Sequence, residues 1–130
     1  MNVVDSSGWL EYFGNGPNAD FFAPALADES FLIVPSITIF EVFKRALLQR
    51  GQTAALQVTA MMQQGKVVEL DAALATTAAQ LSAELKLPMA DSIILATARQ
   101  CAATIWTQDA DFEGLAEVRF VRKLGVGCVV

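Results

Sequence analysis

The chain has 130 residues, 54% of them hydrophobic, with nine basic and fourteen acidic side chains, a formal net charge of −5 and no histidine. This length suits one domain with a continuous apolar core, and no apolar block approaches the roughly 20 residues of a membrane span. Without imidazole, Ser-His-Asp and Cys-His hydrolysis and every histidine-based zinc site are excluded, so hydrolytic chemistry must rest on carboxylates, hydroxyls or a hard metal ion.

The amino terminus runs from Met1 into Val3, Val4 and Asp5 without the basic and apolar regions of a secretory signal, so a cytoplasmic location is expected. Short β-branched runs then follow one another: Val3-Val4, Phe31 to Val34, Val67 to Leu70, Thr104 to Thr107 and Val118 to Val121. Each has the length of a buried strand. Between them, helical spacing covers Ser7 to Phe13, Asn18 to Ala27, Ser36 to Gln49, Gln52 to Gln64, Ala72 to Leu85 and Ala90 to Ala102. Strands that alternate with helices predict an α/β fold with a central parallel sheet of about four to five strands flanked by helices, in one domain over residues 1–130.

Pro35-Ser36 ends a strand and opens a helix, Gly51 and Gly65 follow helical runs where a left-handed cap fits, and Pro88 precedes a helix. The tail Leu124 to Val130 reads equally as a last strand or a frayed end. Cys101 and Cys128, far apart and in no CxxC pair, read as small buried apolar side chains. Met61, Met62, Trp9, Tyr12 and Phe13 read as core or subunit interface before they read as base-stacking groups.

Ligands of open parallel sheets collect at the carboxyl ends of strands, which makes polar residues directly after a strand informative. Asp5 closes the first strand, followed by Ser6, and Asp109 follows Thr107 at the end of the fourth, with Asp111 two residues on. Glu41 lies in an apolar stretch of the third helix, and Asp91 opens an apolar helix. A carboxylate in such surroundings costs several kcal/mol unless paired, protonated or bound to a cation. Each acid also has a plainer reading. Asp5 and Asp91 suit a helix start, Glu41 can pair with Lys44 or Arg45, and Asp109 and Asp111 suit a turn.

The overall acidity weighs against a polyanionic partner, but the basic residues are clustered. Residues 1–43 hold none, while Lys44, Arg45 and Arg50 sit together and Arg119, Arg122 and Lys123 gather near the end. Lys44 and Arg45, at helical distance from Glu41, are candidates for phosphate contact.

Four segments, in order, carry a pattern: Val3-Val4-Asp5-Ser6-Ser7, Ile39-Phe40-Glu41-Val42, Ala90-Asp91-Ser92-Ile93-Ile94-Leu95-Ala96 and Thr107-Gln108-Asp109-Ala110-Asp111-Phe112. With them the chain resembles the PIN-domain ribonucleases and, in length and layout, the VapC-type toxins of prokaryotic toxin–antitoxin pairs. The resemblance implies a Rossmann-like sheet, a carboxylate pocket holding Mg²⁺ or Mn²⁺, and endoribonuclease activity. It places Asp5, Glu41, Asp91 and Asp109 in the acidic roles, with Asp5, Asp91, Asp109 and Asp111 towards the metal and Ser6 and Thr107 as polar neighbours. It also implies a homodimer and an antitoxin partner. An alternative is a haloacid-dehalogenase-like phosphatase, although Asp5-Ser6-Ser7 lacks that family's second acid; another is a non-catalytic α/β interaction module.

Overall fold

The computed structural model describes residues 1–124. The undecided tail beyond Leu124, with Cys128, lies outside the described residues.

Five strands form one sheet: β1 (Asn2–Val4), β2 (Leu32–Pro35), β3 (Lys66–Val68), β4 (Thr104–Thr107) and β5 (Val118–Phe120). Their order across the sheet is β3-β2-β1-β4-β5 and every pairing is parallel. The described residues also form six α-helices: α1 (Ser6–Phe13), α2 (Ala19–Ala27), α3 (Ser36–Arg50), α4 (Gln52–Met62), α5 (Ala72–Leu85) and α6 (Met89–Gln100). Among the described residues no helix is long and apolar enough to cross a membrane.

Strand alternation sorts the core into two layers. Val3, Ile33 and Ile105 point to one face, where they meet Leu74 and Leu81 of α5, Ile94 and Leu95 of α6, and Phe112. Val4, Val34 and Trp106 point to the other, where they meet Trp9 of α1, Phe22 of α2, Val42 of α3 and Met62 of α4. Both faces of the central strands are covered, which is why these runs read as continuously apolar instead of alternating. Trp9 and Met62 are buried as expected of core residues, whereas Tyr12 and Met61 lie exposed. Cys101 is free and half-buried against the α5/α6 layer, less enclosed than its apolar reading implies.

Boundaries shift by one or two residues at several ends. Phe31 belongs to a short 3₁₀ turn over Glu29–Phe31 and not to β2, and β3 ends at Val68. Gly51 has φ 91°, a conformation that suits glycine, and joins α3 directly to α4. Gly65 has no positive φ, so the left-handed cap expected there does not form. Its constraint is space, because a Cβ at Gly65 would lie 3.0 Å from the Leu32 carbonyl oxygen and 3.0 Å from Val34 Cγ2. Left-handed positions occur at other helix ends, among them Lys86, which ends α5 at φ 56°.

The layer under α1 and α2 depends on Phe22, which is fully buried and stacks edge-on against Phe21 at 5.0 Å between centroids. Phe22→Ala should lower the stability measured by urea unfolding by about 3–5 kcal/mol, the range for a large aromatic removed from a close-packed core.

Candidate active site

The chain turns to opposite sides of β1: β2 and β3 lie on one side, β4 and β5 on the other. Such a reversal opens a crevice at the carboxyl ends of the strands. A cleft of about 990 Å³ lies there, and Asp5, Glu41, Asp91 and Asp109 all line it.

Asp5 leaves the end of β1, caps α1 and is almost completely buried. Its Oδ1 accepts from the Ser7 hydroxyl at 2.8 Å and from the Gly8 N–H at 2.9 Å, and its Oδ2 accepts from the Thr107 hydroxyl at 2.7 Å. Burial pushes this carboxyl up to about 6 despite the three donors, and the nearby Asp109 charge adds to the rise. The Thr107 oxygen also receives the Asp109 N–H at 2.8 Å, so one hydroxyl ties the ends of β1 and β4 together.

Asp109 follows β4, and its Oδ1 accepts the Asp111 N–H at 2.9 Å. Asp91 enters from the first turn of α6. Carboxylate oxygens of Asp91, Asp109 and Asp111 lie within 4.8 Å of one another. Asp91 is half-buried; desolvation first, then the facing Asp109 and Asp111, push its carboxyl up to about 8. Without a cation, this crowding favours protonation within the group. An all-oxygen donor set with this excess of negative charge suits a hard divalent ion.

Glu41 reaches the cleft from the second turn of α3, and the Ser6 hydroxyl donates to its Oε1 at 2.5 Å. It makes no ion pair with Lys44 or Arg45; among the described residues the salt bridge found is Arg99–Glu117, 3.0 Å long and on the surface. Lys44 and Arg45 both line the cleft. Asp5 and Glu41 stand outside the three-acid group of Asp91, Asp109 and Asp111, so the structure brings the acids to one cleft in two tiers. The plainer readings hold alongside: Asp5 is a helix cap and Asp109 a turn residue, each through one carboxylate oxygen.

Two further cleft residues have no signal in the hydrophobic pattern. Glu11 accepts the Asn18 N–H at 2.7 Å and lies 3.3 Å from the donating Gln108 Nε2. Gln108 adjoins Asp109 along the chain, whereas only the fold brings Glu11 to the same cleft. Lys123, visible in the sequence as part of a basic cluster, also lines the cleft.

A Rossmann-like parallel sheet with acids gathered at its switch point is a frame for carboxylate-based chemistry. The PIN domain model matches residues 3–118, and the chain belongs to the PIN domain family. None of the curated proteins matches the chain. Among solved structures, a toxin–antitoxin complex from Klebsiella pneumoniae aligns at 22% identity with a TM-score of 0.78, covering 92% of this chain and 96% of that one. VapC20 of Mycobacterium tuberculosis, a toxin that cleaves the sarcin-ricin loop, aligns at 19% identity with a TM-score of 0.74, over 92% of this chain and 99% of that one. DNA-bound VapBC from Salmonella typhimurium aligns at 18% identity with a TM-score of 0.69, over 94% of this chain and 97% of that one. These likenesses concern the fold.

Two outcomes follow from the electrostatics. Thr107→Val leaves Oδ2 of the buried Asp5 without its donor and the Asp109 N–H without an acceptor, so it should cost about 2 kcal/mol in urea unfolding. A carboxyl raised to about 8 in the fold from 3.8 in the unfolded chain destabilises the fold increasingly as pH rises between those values. Asp91→Asn should therefore melt about 3–6 °C above the parent protein at pH 8 in EDTA, a figure discounted for the half-exposed side chain. The gap should close towards pH 4, where the parent carboxyl is already protonated.

Proposed function

We propose that this chain is a divalent-metal-dependent endoribonuclease, the VapC-type toxin of a toxin–antitoxin pair, which hydrolyses RNA phosphodiester bonds at the acidic cleft. The observation that carries the reading is the group of Asp91, Asp109 and Asp111 oxygens within 4.8 Å, in a cleft also lined by Asp5 and Glu41. Membership of the PIN family and the fold shared with toxins of this kind support it.

Asp91, Asp109 and Asp111 would hold Mg²⁺ or Mn²⁺, with Asp5 behind them. A bound divalent ion supplies Lewis acidity, which makes water a better nucleophile and offsets charge growing on the phosphate oxygens. The remaining work belongs to the chain. Glu41, with Ser6 donating to one oxygen, has its second oxygen free to orient the attacking water and take its proton. Asp5 and Thr107 keep Asp109 in register, because the bridging hydroxyl binds the carboxylate of one and the amide of the other. Lys44 and Arg45 contact phosphate. Water attacks phosphorus, the bond to the 3′ oxygen breaks, and that oxygen leaves with a proton, giving 5′-phosphate and 3′-hydroxyl ends. The toxin acts in the cytoplasm as a homodimer, and an antitoxin silences it by covering the groove.

The test is incubation of the protein and its Asp91→Asn variant with RNA in Mg²⁺, Mn²⁺ and EDTA. Cleavage should need the metal, leave 5′-phosphate ends and fall at least about 100-fold in the variant. Mg²⁺ should also raise the melting temperature of the parent protein and leave that of the variant nearly unmoved. Cleavage that persists in EDTA contradicts the mechanism, and full activity in the variant removes Asp91 from the site.

A further inference from the structure

The cleft has basic residues on both sides of its acidic floor, and the second of these sides is built by a buried latch. Lys44 and Arg45 stand on α3, which follows β2; Lys123 follows β5. In the sheet order β2-β1-β4-β5, the acids Asp5 and Asp109 leave the two strands between them. Three strand spacings separate the basic sides, about 14 Å at the level of the sheet. That distance exceeds one phosphodiester linkage.

Lys123 lies beyond the last strand, where a chain would ordinarily run free of the site. Asn18 prevents this. It occupies the start of α2 but does not cap the helix; its buried amide nitrogen donates to Gln108 Oε1 at 3.0 Å and to the Arg122 carbonyl oxygen at 3.0 Å. The same nitrogen thus fastens the segment after β5 to the residue next to Asp109. Lys123 is set at the rim with its ammonium exposed, and among the described residues none of Lys44, Arg45 and Lys123 forms an ion pair, although carboxylates line the same cleft. Unpaired cations beside an acidic floor are what a polyanion needs to overcome the repulsion of that floor.

We propose that Lys123, placed by the Asn18 latch, is a phosphate-contact residue on the β5 side of the cleft, so that RNA with its scissile phosphate over the acids sets one flanking phosphate at Lys44 and Arg45 and another at Lys123. The proposal rests on the ribonuclease reading and extends it to the path of the substrate. Lys123 is a phosphate-contact residue and Asn18 positions it.

The experiment measures kcat and KM on a single-stranded oligoribonucleotide of about twelve nucleotides for the parent protein, Lys123→Gln and Lys123→Arg. Lys123→Gln should raise KM about threefold to tenfold, and Lys123→Arg should recover most of the loss. The salt dependence of kcat/KM should become shallower by about 0.7 in log–log slope, the value for one phosphate contact on a single strand. A neutral methylphosphonate at one flanking linkage should weaken the parent protein as Lys123→Gln does, and add little in the variant. Fluorescence anisotropy repeats the comparison without turnover, on Asp91→Asn with and without Lys123→Gln. A parent-like KM and salt slope in Lys123→Gln overturns the proposal while leaving the ribonuclease reading in place. Absence of metal-dependent cleavage, with RNA binding that still weakens in the double variant, overturns the ribonuclease reading and keeps the strand path.

Discussion

The site depends on holding several carboxylates closer together than they would choose to be. Asp91, Asp109 and Asp111 bring oxygens within 4.8 Å of one another, and Asp5 is buried behind them. Like charges at that distance, in partly dry surroundings, favour protonation, which is the direction taken by both Asp5 and Asp91. The fold opposes the repulsion with hydroxyl and backbone donors: the Ser7 and Thr107 hydroxyls and the Gly8 N–H at Asp5, and the Asp111 N–H at Asp109. A cluster of this kind costs stability and gains affinity for a cation, the usual exchange at a functional site.

The hydrophobic layers make the exchange possible. Val3, Ile33 and Ile105 on one face, and Val4, Val34 and Trp106 on the other, anchor the central strands on both sides. Strand ends held this firmly place Asp5 and Asp109 side by side, with the Thr107 hydroxyl spanning the gap. The helices then aim the other acids: Asp91 from the first turn of α6 and Glu41 from the second turn of α3. Packing supplies the rigidity and the turn residues supply the chemistry, so helix capping and site formation share atoms at Asp5.

Charge is arranged on the same principle. The net charge of −5 describes the whole chain and conceals a cleft whose acidic floor is bordered by Lys44, Arg45 and Lys123. Arg119 is used elsewhere, its guanidinium 4.5 Å above the Trp106 ring, and Arg99 is paired with Glu117. Position relative to the floor, more than total charge, decides which cations face the cleft.

Sequence alone determined the layered α/β architecture and the elements that carry the acids, because a strand buried on both faces and a helix buried on one leave different apolar periods. It also marked Asp5, Glu41, Asp91 and Asp109, since an acid at a strand end or inside an apolar run stands out against that period. Tertiary structure alone decided that Asp5 and Glu41 stand apart from the group of Asp91, Asp109 and Asp111, that Ser6 holds Glu41 where Lys44 and Arg45 were eligible, and that Asn18 carries Lys123 to the rim. Those are relations between residues 35 to more than 100 positions apart. Local periodicity has no term for such distances; strand order and the packing of helices on the sheet set them.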